Sequence, residues 1–382
     1  MHHTAPELTL VHDKMFEEAR AKGTEVYGDF GKLPAIAQAG HFRRMEIIEH
    51  LDIRDPVGCT SVDFGTGPWG FACVYPRLHA SKNCISVDVS RVALEMAAKK
   101  DRQRGAKVQY VVSDGDEIPI GDSIVDIFWA GESLEHVRDP VVFLQEISRV
   151  CRDGADLVLS TPNRDAVFYQ AFGQHYTIGP EHLALVNFAE LQSLVDRFFD
   201  IQACHGFESS IWPEIDQVLV DPDKIRGLQE RAFDTPELAS GLILHGRNSK
   251  TKYAAHARTY NLIEQPWSDP QIRSNRPMKP MPLFGGIDGG LIGACDSISF
   301  AVPGRKIILM FWAHNWSGEA EILCDGAAAS IDLFSRWAGF KRVVFDDLEP
   351  GPHTVAIRAT GRRCETSCAA EVIFYKTIAY NY

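Results

Sequence analysis

The stretch VDFGTGPWG (62–70) places Gly65, Gly67 and Gly70 in the spacing G-x-G-x-x-G, directly after an apolar run that ends in an acid, Asp63. Glycine takes backbone angles closed to other residues and lets a ligand approach the main chain, so such a loop can cradle a nucleotide-like cofactor. Gly70 is expected to let a following helix pack on the strand, and the start of that helix would offer unpaired N–H groups to a polar or anionic ligand. Asp88 stands 23 residues beyond Gly65, at the end of the next apolar run. A carboxylate in that place can accept two hydrogen bonds from a ribose diol. Dinucleotide and nucleoside cofactor sites both use this device, so these residues alone do not name the cofactor.

The elements that must position these residues alternate between strand and helix. Residues 1–55 read as mostly helical, with Phe42, Met45, Ile48 and Leu51 at helical spacing on one face. TSVDF (60–64), NCISVDV (83–89), KVQYVVS, SIVDIFWA, ADLVLSTPN, FDIQACHGF and GLILHGRN (241–248) read as seven strands. Helices are expected over 70–80, after a Ser90 cap, over DPVVFLQEISRVC with a stop at Asp153-Gly154, and over FAELQSLVDRF. This order predicts an α/β, Rossmann-like, doubly wound and mostly parallel seven-stranded sheet over residues 56–250, with ligands at the carboxyl ends of the strands.

The segment 113–163 then adds Asp114, Gly115, Ile118 and Pro119, followed by Leu134, Glu135, His136 and Val137, and by Glu146, Arg149, Val150 and Gly154. In this order these residues resemble the class I S-adenosylmethionine-dependent methyltransferases, in particular the broad group with a D-A-x-x-L-P segment, a later L-E-H-V and an E-x-x-R-V-L-x-P-G-G helix end. The resemblance spans roughly residues 40–200. Gly115 departs from the usual alanine, CRDGAD from the usual helix end, and Pro68-Trp69 makes the loop bulkier than usual. The resemblance implies S-adenosyl-L-methionine as cofactor. Asp63, Gly65, Thr66 and Gly67 would face its amino-acid end, Asp88 and Val89 the ribose, and Asp114 and Gly115 the adenine. Ala130 and Gly131 would meet the methionine portion, and Arg44 its carboxylate. Trp69 is expected to pack over the cofactor end or the substrate entrance.

Methyl transfer to a hydroxyl needs a proton acceptor beside the reacting oxygen. His136, just past the fourth strand, and His182, past the fifth, are the candidate catalytic bases; His175 and Tyr176 are near enough in sequence to line the same mouth. Glu132, Glu135 and Glu181 lack a compact ligand spacing with the histidines, so no metal is expected. The expected activity is methylation, at oxygen, of a sugar, glycan or other small hydroxylated molecule. Two alternatives stand beside it: a nicotinamide-dependent oxidoreductase on a similar sheet, and a non-catalytic glycan-binding protein with a vestigial methyltransferase fold.

Beyond residue 250 the pattern changes. Residues 251–285 are rich in proline and aperiodic and read as a linker or an extended wrapping segment, and 286–382 carry about seven short strand-like runs, as in a β-sandwich or jelly roll. The runs around WSGEAEILCDG and EPGPHTV look like accessory modules found beside sugar-modifying enzymes, in which Trp312, Trp316 or Trp337 would stack on a sugar or fill the core. The chain has 382 residues, 45% of them hydrophobic, and a net charge of −12, which argues against a sequence-independent grip on nucleic acid. The basic run 97–107 reads as a solvated helix face. No apolar run nears the roughly 20 residues of a membrane span. No leader is visible, and nine cysteines, such as Cys73 and Cys324 in apolar runs, fit reduced thiols in the cytoplasm.

Overall fold

The computed structural model describes residues 6–22, 35–166, 182–207, 235–283, 287–335, 338–365 and 367–382. The chain divides into two compact units: Met1–Ala171 with Ala184–Ala257, and Phe172–Leu183 with Arg258–Tyr382.

The first unit is built on a seven-stranded sheet, β1 (Thr60–Phe64), β2 (Asn83–Asp88), β3 (Val108–Val112), β4 (Val125–Gly131), β5 (Cys151–Pro162), β6 (Phe199–Phe207) and β7 (Gly241–Asn248), in the order β3-β2-β1-β4-β5-β7-β6. β7 runs antiparallel to both neighbours and the other pairings are parallel, as the alternating pattern predicts. Residues facing one way, including Val62, Phe64, Phe128, Leu157 and Leu244, join a core with α4 (Pro140–Val150) and α5 (Phe188–Asp196). Those facing the other way, including Ile127, Trp129, Val158 and Ile243, meet Ile47 and Ile48 of α2 (Ala35–His50) and the segment Phe71–Leu78. Both faces are therefore buried, which is why the strands read as nearly continuous apolar runs. α1 (Pro6–Lys22) buries Phe16 and pairs Arg20 with Glu95 of α3 (Arg91–Gln103), whose start is capped by Ser90. α6 (Lys250–His256) closes the unit.

Three expectations need correction. No α-helix follows β1: residues 67–69 and 76–80 form short 3₁₀ turns, because Pro68, Gly70 and Pro76 interrupt any longer helical ladder. The helix before β5 ends at Val150, and Asp153-Gly154 lies inside the strand, with Gly154 at φ +69°. Residues 251–285 are not a free linker. They hold α6 and three strands of the second unit, β8 (Asn261–Pro266), β9 (Arg273–Ser274) and β10 (Lys279–Pro282).

The second unit is a two-sheet β-structure. Its other strands are β11 (Asp288–Ile292), β12 (Ser297–Pro303), β13 (Lys306–Ala313), β14 (Glu319–Cys324), β15 (Ala327–Asp332), β16 (Gly339–Phe345), β17 (Pro352–Ala359) and β18 (Val372–Asn381). One sheet has the order β10-β11-β18-β13-β16 with β8 also on β18, and the other β15-β14-β17-β12-β9. Their facing sides share one core, Leu309, Phe311 and Phe374 against Phe300, Ile322 and Ile357. Trp312 is buried, edge-on to Phe340, and so is not presented to a sugar; Trp316 is half-buried over His314, and Trp337 lies outside the described residues. All nine cysteines are free thiols, and Cys73 sits exposed in a turn rather than in a strand.

Candidate functional site

The expected cofactor residues gather at the carboxyl ends of β1, β2 and β4. Gly65 and Gly67 take φ values of +72° and +59°, so the turn after β1 requires glycine. A side chain at Gly65 would stand 2.3 Å from Ser133 Oγ, which donates to Phe64 O and so ties the ends of β1 and β4 together. Gly65→Ala is accordingly expected to weaken S-adenosylhomocysteine binding about tenfold in calorimetry, since a hydroxyl and a strained φ must both yield; unchanged affinity would refute the close approach. Thr66 is buried and its hydroxyl donates to Asp63 O at 2.7 Å. The Asp63 carboxylate accepts the Ala72 N–H at 2.7 Å, and burial pushes its carboxyl up to about 7. Asp88 Oδ2 accepts from the Gly67 N–H at 2.9 Å and Oδ1 from the Ser90 N–H at 2.8 Å, while Val89 beside it is half-buried.

The segment after β3 is held by Arg138, which directly follows L-E-H-V, and by the two residues of the E-x-x-R pattern. Arg138, itself buried, pairs with Asp114 at 3.1 Å and Asp116 at 3.0 Å. Glu146 Oε2 accepts the Ile118 N–H, and Arg149 donates to the Ile118 and Ile120 carbonyls as well as to Glu146. These three residues therefore shape the candidate adenine loop. Gly115 replaces the usual alanine for a physical reason: its φ is +94°, and a Cβ would lie 2.8 Å from Phe143.

At the end of β4, Ala130 is buried and Gly131 is packed so that a Cβ would meet Arg44 and Trp129 at 2.8 Å. Arg44 is not on an exposed helix face. It is 7% exposed, donates to Ser160 Oγ at 2.6 Å and lies 3.7 Å from Glu132 Oε1, and its Nε has no partner among the described residues. Glu132 takes φ +52°, strained for a non-glycine, and is fixed by its N–H to Ser160 O and by the Ser160 hydroxyl to its carboxylate. Glu135 is buried, accepts the Thr161 hydroxyl at 3.0 Å and lies 3.6 Å from His136 Nε2. His12 of α1 meets the His136 ring edge-on at 5.4 Å, and Asp13 accepts the Ser90 hydroxyl at 2.5 Å. His182 is half-buried, two residues before Ala184, whose N–H donates to Glu135 O. His175, Tyr176 and Glu181 lie outside the described residues. Trp69 is half-buried with Lys100 Nζ 4.9 Å over its ring, outside the helix–sheet core.

A family model described as a methyltransferase domain matches residues 62–159, a stretch that runs from within β1 into β5 and carries the ends of β1 to β4. A probable S-adenosylmethionine-dependent methyltransferase of Mycobacterium tuberculosis is 29% identical over 213 residues, 52% of this chain and 71% of the relative. The chain carries a class I S-adenosylmethionine-dependent methyltransferase domain. The methyltransferase GfsG of Streptomyces halstedii is 28% identical over 156 residues, 39% of this chain and 55% of the relative. An S-adenosylmethionine-dependent methyltransferase from Mesorhizobium loti, 16% identical, superposes with a TM-score of 0.39 over 56% of this chain and 100% of its own. The methyltransferase's cofactor is S-adenosylmethionine, and the glycine cradle and the orphaned, buried Arg44 Nε fit a ligand with an anionic end. Among the described residues, no helix is long and apolar enough to cross a membrane.

Four positions that matter here were not singled out from sequence: Ser133, Ser160, Arg138 and Asp101. Arg138 had a signal, since it directly follows L-E-H-V. The hydroxyls had none, because serine at a strand end is also ordinary turn chemistry.

Proposed function

We propose that this methyltransferase methylates a hydroxyl of a small hydroxylated acceptor, a sugar or glycan, with His136 as the proton acceptor. The observation that carries the reading is the pair His136–Glu135 past the carboxyl end of β4. Glu135 is buried, accepts the Thr161 hydroxyl and stands 3.6 Å from His136 Nε2, so its carboxyl group is placed to orient the imidazole. When bound, the cofactor supplies an already activated methyl group on sulfur. The chain's own residues then have two tasks: to hold the partners in line, and to accept the hydroxyl proton on an imidazole nitrogen. Asp63, the loop Gly65–Gly67, Ala130, Gly131 and Arg44 would hold the amino-acid end, Asp88 and Val89 the ribose, and Asp114 and Gly115 the adenine. His182, which follows β5 in the sequence, is the second candidate for the base.

The test is turnover with a panel of sugars and glycosylated phenols, with S-adenosylhomocysteine affinity measured alongside. His136→Ala is expected to lower turnover by two or more orders of magnitude, within the usual range for a general base of roughly 10²–10⁴, with cofactor affinity unchanged. If His136→Ala and His182→Ala both keep full turnover, neither is the base. Transfer to nitrogen or carbon acceptors alone would overturn the hydroxyl assignment.

A further inference from the structure

The loop after β1 has no α-helix behind it to satisfy its backbone, and three carboxylates take that place. Asp88 accepts from Gly67 N–H, Asp63 from Ala72 N–H, and Asp101 from Phe71 N–H through both oxygens, at 3.1 and 3.2 Å. The first two end strands and belong to the cofactor pattern. Asp101 does not. It sits on α3 inside the basic run 97–107, and it is fully buried while Lys99 and Arg102 beside it are exposed. The run is thus not wholly a solvated face.

Everything around Asp101 points at the loop. Tyr110 on the edge strand β3 donates its hydroxyl to Asp101 Oδ2 at 2.9 Å, which fixes the carboxylate plane. Gly70, at φ +93°, passes so close that a Cβ would lie 2.6 Å from Asp101 Oδ1. Just past the end of α3, Arg104 donates to Trp69 O at 3.4 Å, and Lys100, next to Asp101, covers the Trp69 ring. A buried carboxylate that accepts a main-chain N–H is among the stronger neutral-to-charged hydrogen bonds, and leaving that N–H unpaired is costly.

We propose that Asp101 is a positioning residue for the cofactor: acting through Phe71 N–H and against Gly70, it sets the height of the Gly65–Gly67 backbone beneath the amino-acid end of S-adenosylmethionine. The inference rests on the assignment of that loop to the amino-acid end. It predicts a selective defect, because adenosine alone does not reach the loop. With the full chain, calorimetry should show S-adenosylhomocysteine binding about tenfold weaker in Asp101→Ala, as for one charge-assisted hydrogen bond, with adenosine affinity within about twofold of the parent. Asp101→Asn keeps one oxygen acceptor for Phe71 and is expected to restore most of the affinity. Tyr110→Phe, which leaves the carboxylate in place, should cost about threefold with the same selectivity, and it decides the matter if Asp101→Ala does not fold. Equal weakening of both ligands would mark general damage and overturn the proposal, as would unchanged S-adenosylhomocysteine binding in both the Asp101→Ala and Tyr110→Phe chains. Failure of the parent chain to bind S-adenosylhomocysteine at all would instead overturn the loop's assignment, and the proposal with it.

Discussion

Replacing Asp88 by alanine is expected to lower the affinity for S-adenosylhomocysteine by at least roughly a hundredfold. Two charge-assisted hydrogen bonds to the ribose diol would be lost, each worth about 1.5–3 kcal/mol. The same substitution also removes the acceptor for the Gly67 and Ser90 N–H groups, so the loop itself loosens. Asp88→Asn keeps an acceptor oxygen and should fall between the two, about tenfold weaker than the parent. The carboxyl also carries a pH signature. Burial pushes it up to about 6, against the opposing hydrogen bonds from Ser90 and Gly67. A carboxyl raised in the folded chain holds a proton that the unfolded chain has lost, so this group's contribution to stability falls as pH rises from the ordinary carboxylate range through about 6. Ribose binding favours the ionised form and works the other way. S-adenosylhomocysteine affinity should therefore drop as pH is lowered from 7 to 5, and binding near pH 6 should release protons, visible as a dependence of the calorimetric heat on buffer ionisation enthalpy. Undiminished affinity in Asp88→Ala, or binding of a nicotinamide dinucleotide in its place, would refute the assignment.

What could be read from sequence, and what could not, follows from the range over which each signal acts. The central strands of the sheet were legible because both of its faces are buried there, and that forces runs such as Ile127–Ala130 to be apolar throughout. The candidate cofactor positions could be picked out because glycine spacing and an acid at a strand end are local patterns, and the fold gathers them at the carboxyl ends of β1, β2 and β4. The missing helix after β1 was misread because the apolar segment Phe71–Leu78 packs as a core layer while Pro68, Gly70 and Pro76 break its hydrogen-bond ladder; the burial is helical in extent, the backbone is not. The β8–β10 strands were missed because they are short and proline-rich, and their pairing partners β18, β12 and β11 lie far along the chain from β8 and β9, beyond any local window. Asp101 was hidden by its neighbours: one acid in a basic stretch looks like surface charge, and only the fold brings Phe71 and Tyr110 to it.

A second large effect is expected at the opposite end of the sheet, where the chain invests in stability rather than chemistry. Asp156 pairs with Ile127 where the β4–β5 register resumes after a shift, four residues before Ser160 at the site end. It is 1% exposed and accepts from Arg54 Nε at 2.6 Å, from the Arg54 N–H at 3.2 Å and from His245 Nε2 at 2.9 Å, with Arg247 Nε at 3.6 Å. Burial works to raise its carboxyl, but the hydrogen bonds from His245 and Arg54 outweigh that and hold it below the usual carboxylate range. Asp156→Ala would leave His245, also 1% exposed, without its acceptor inside the sheet. Leaving a buried hydrogen-bonding group without its partner typically costs about 1–3 kcal/mol, so the unfolding transition of the methyltransferase unit should fall by roughly 2–12 °C. Asp156→Asn, which keeps one acceptor oxygen, should cost less. Because the pair lies away from the strand ends proposed to hold the cofactor, S-adenosylhomocysteine affinity measured well below the transition should be unchanged. The sign of the pH dependence follows from the lowered carboxyl: its contribution is present above the ordinary carboxylate value and is lost as pH falls through the lower value it has in the fold. The gap in stability between parent and Asp156→Ala should therefore be constant near neutrality and close in acid. A parent and variant that unfold together at pH 7 would mean that Arg54, Arg247 and His245 find equivalent partners elsewhere, and that the buried carboxylate does not anchor this end of the sheet.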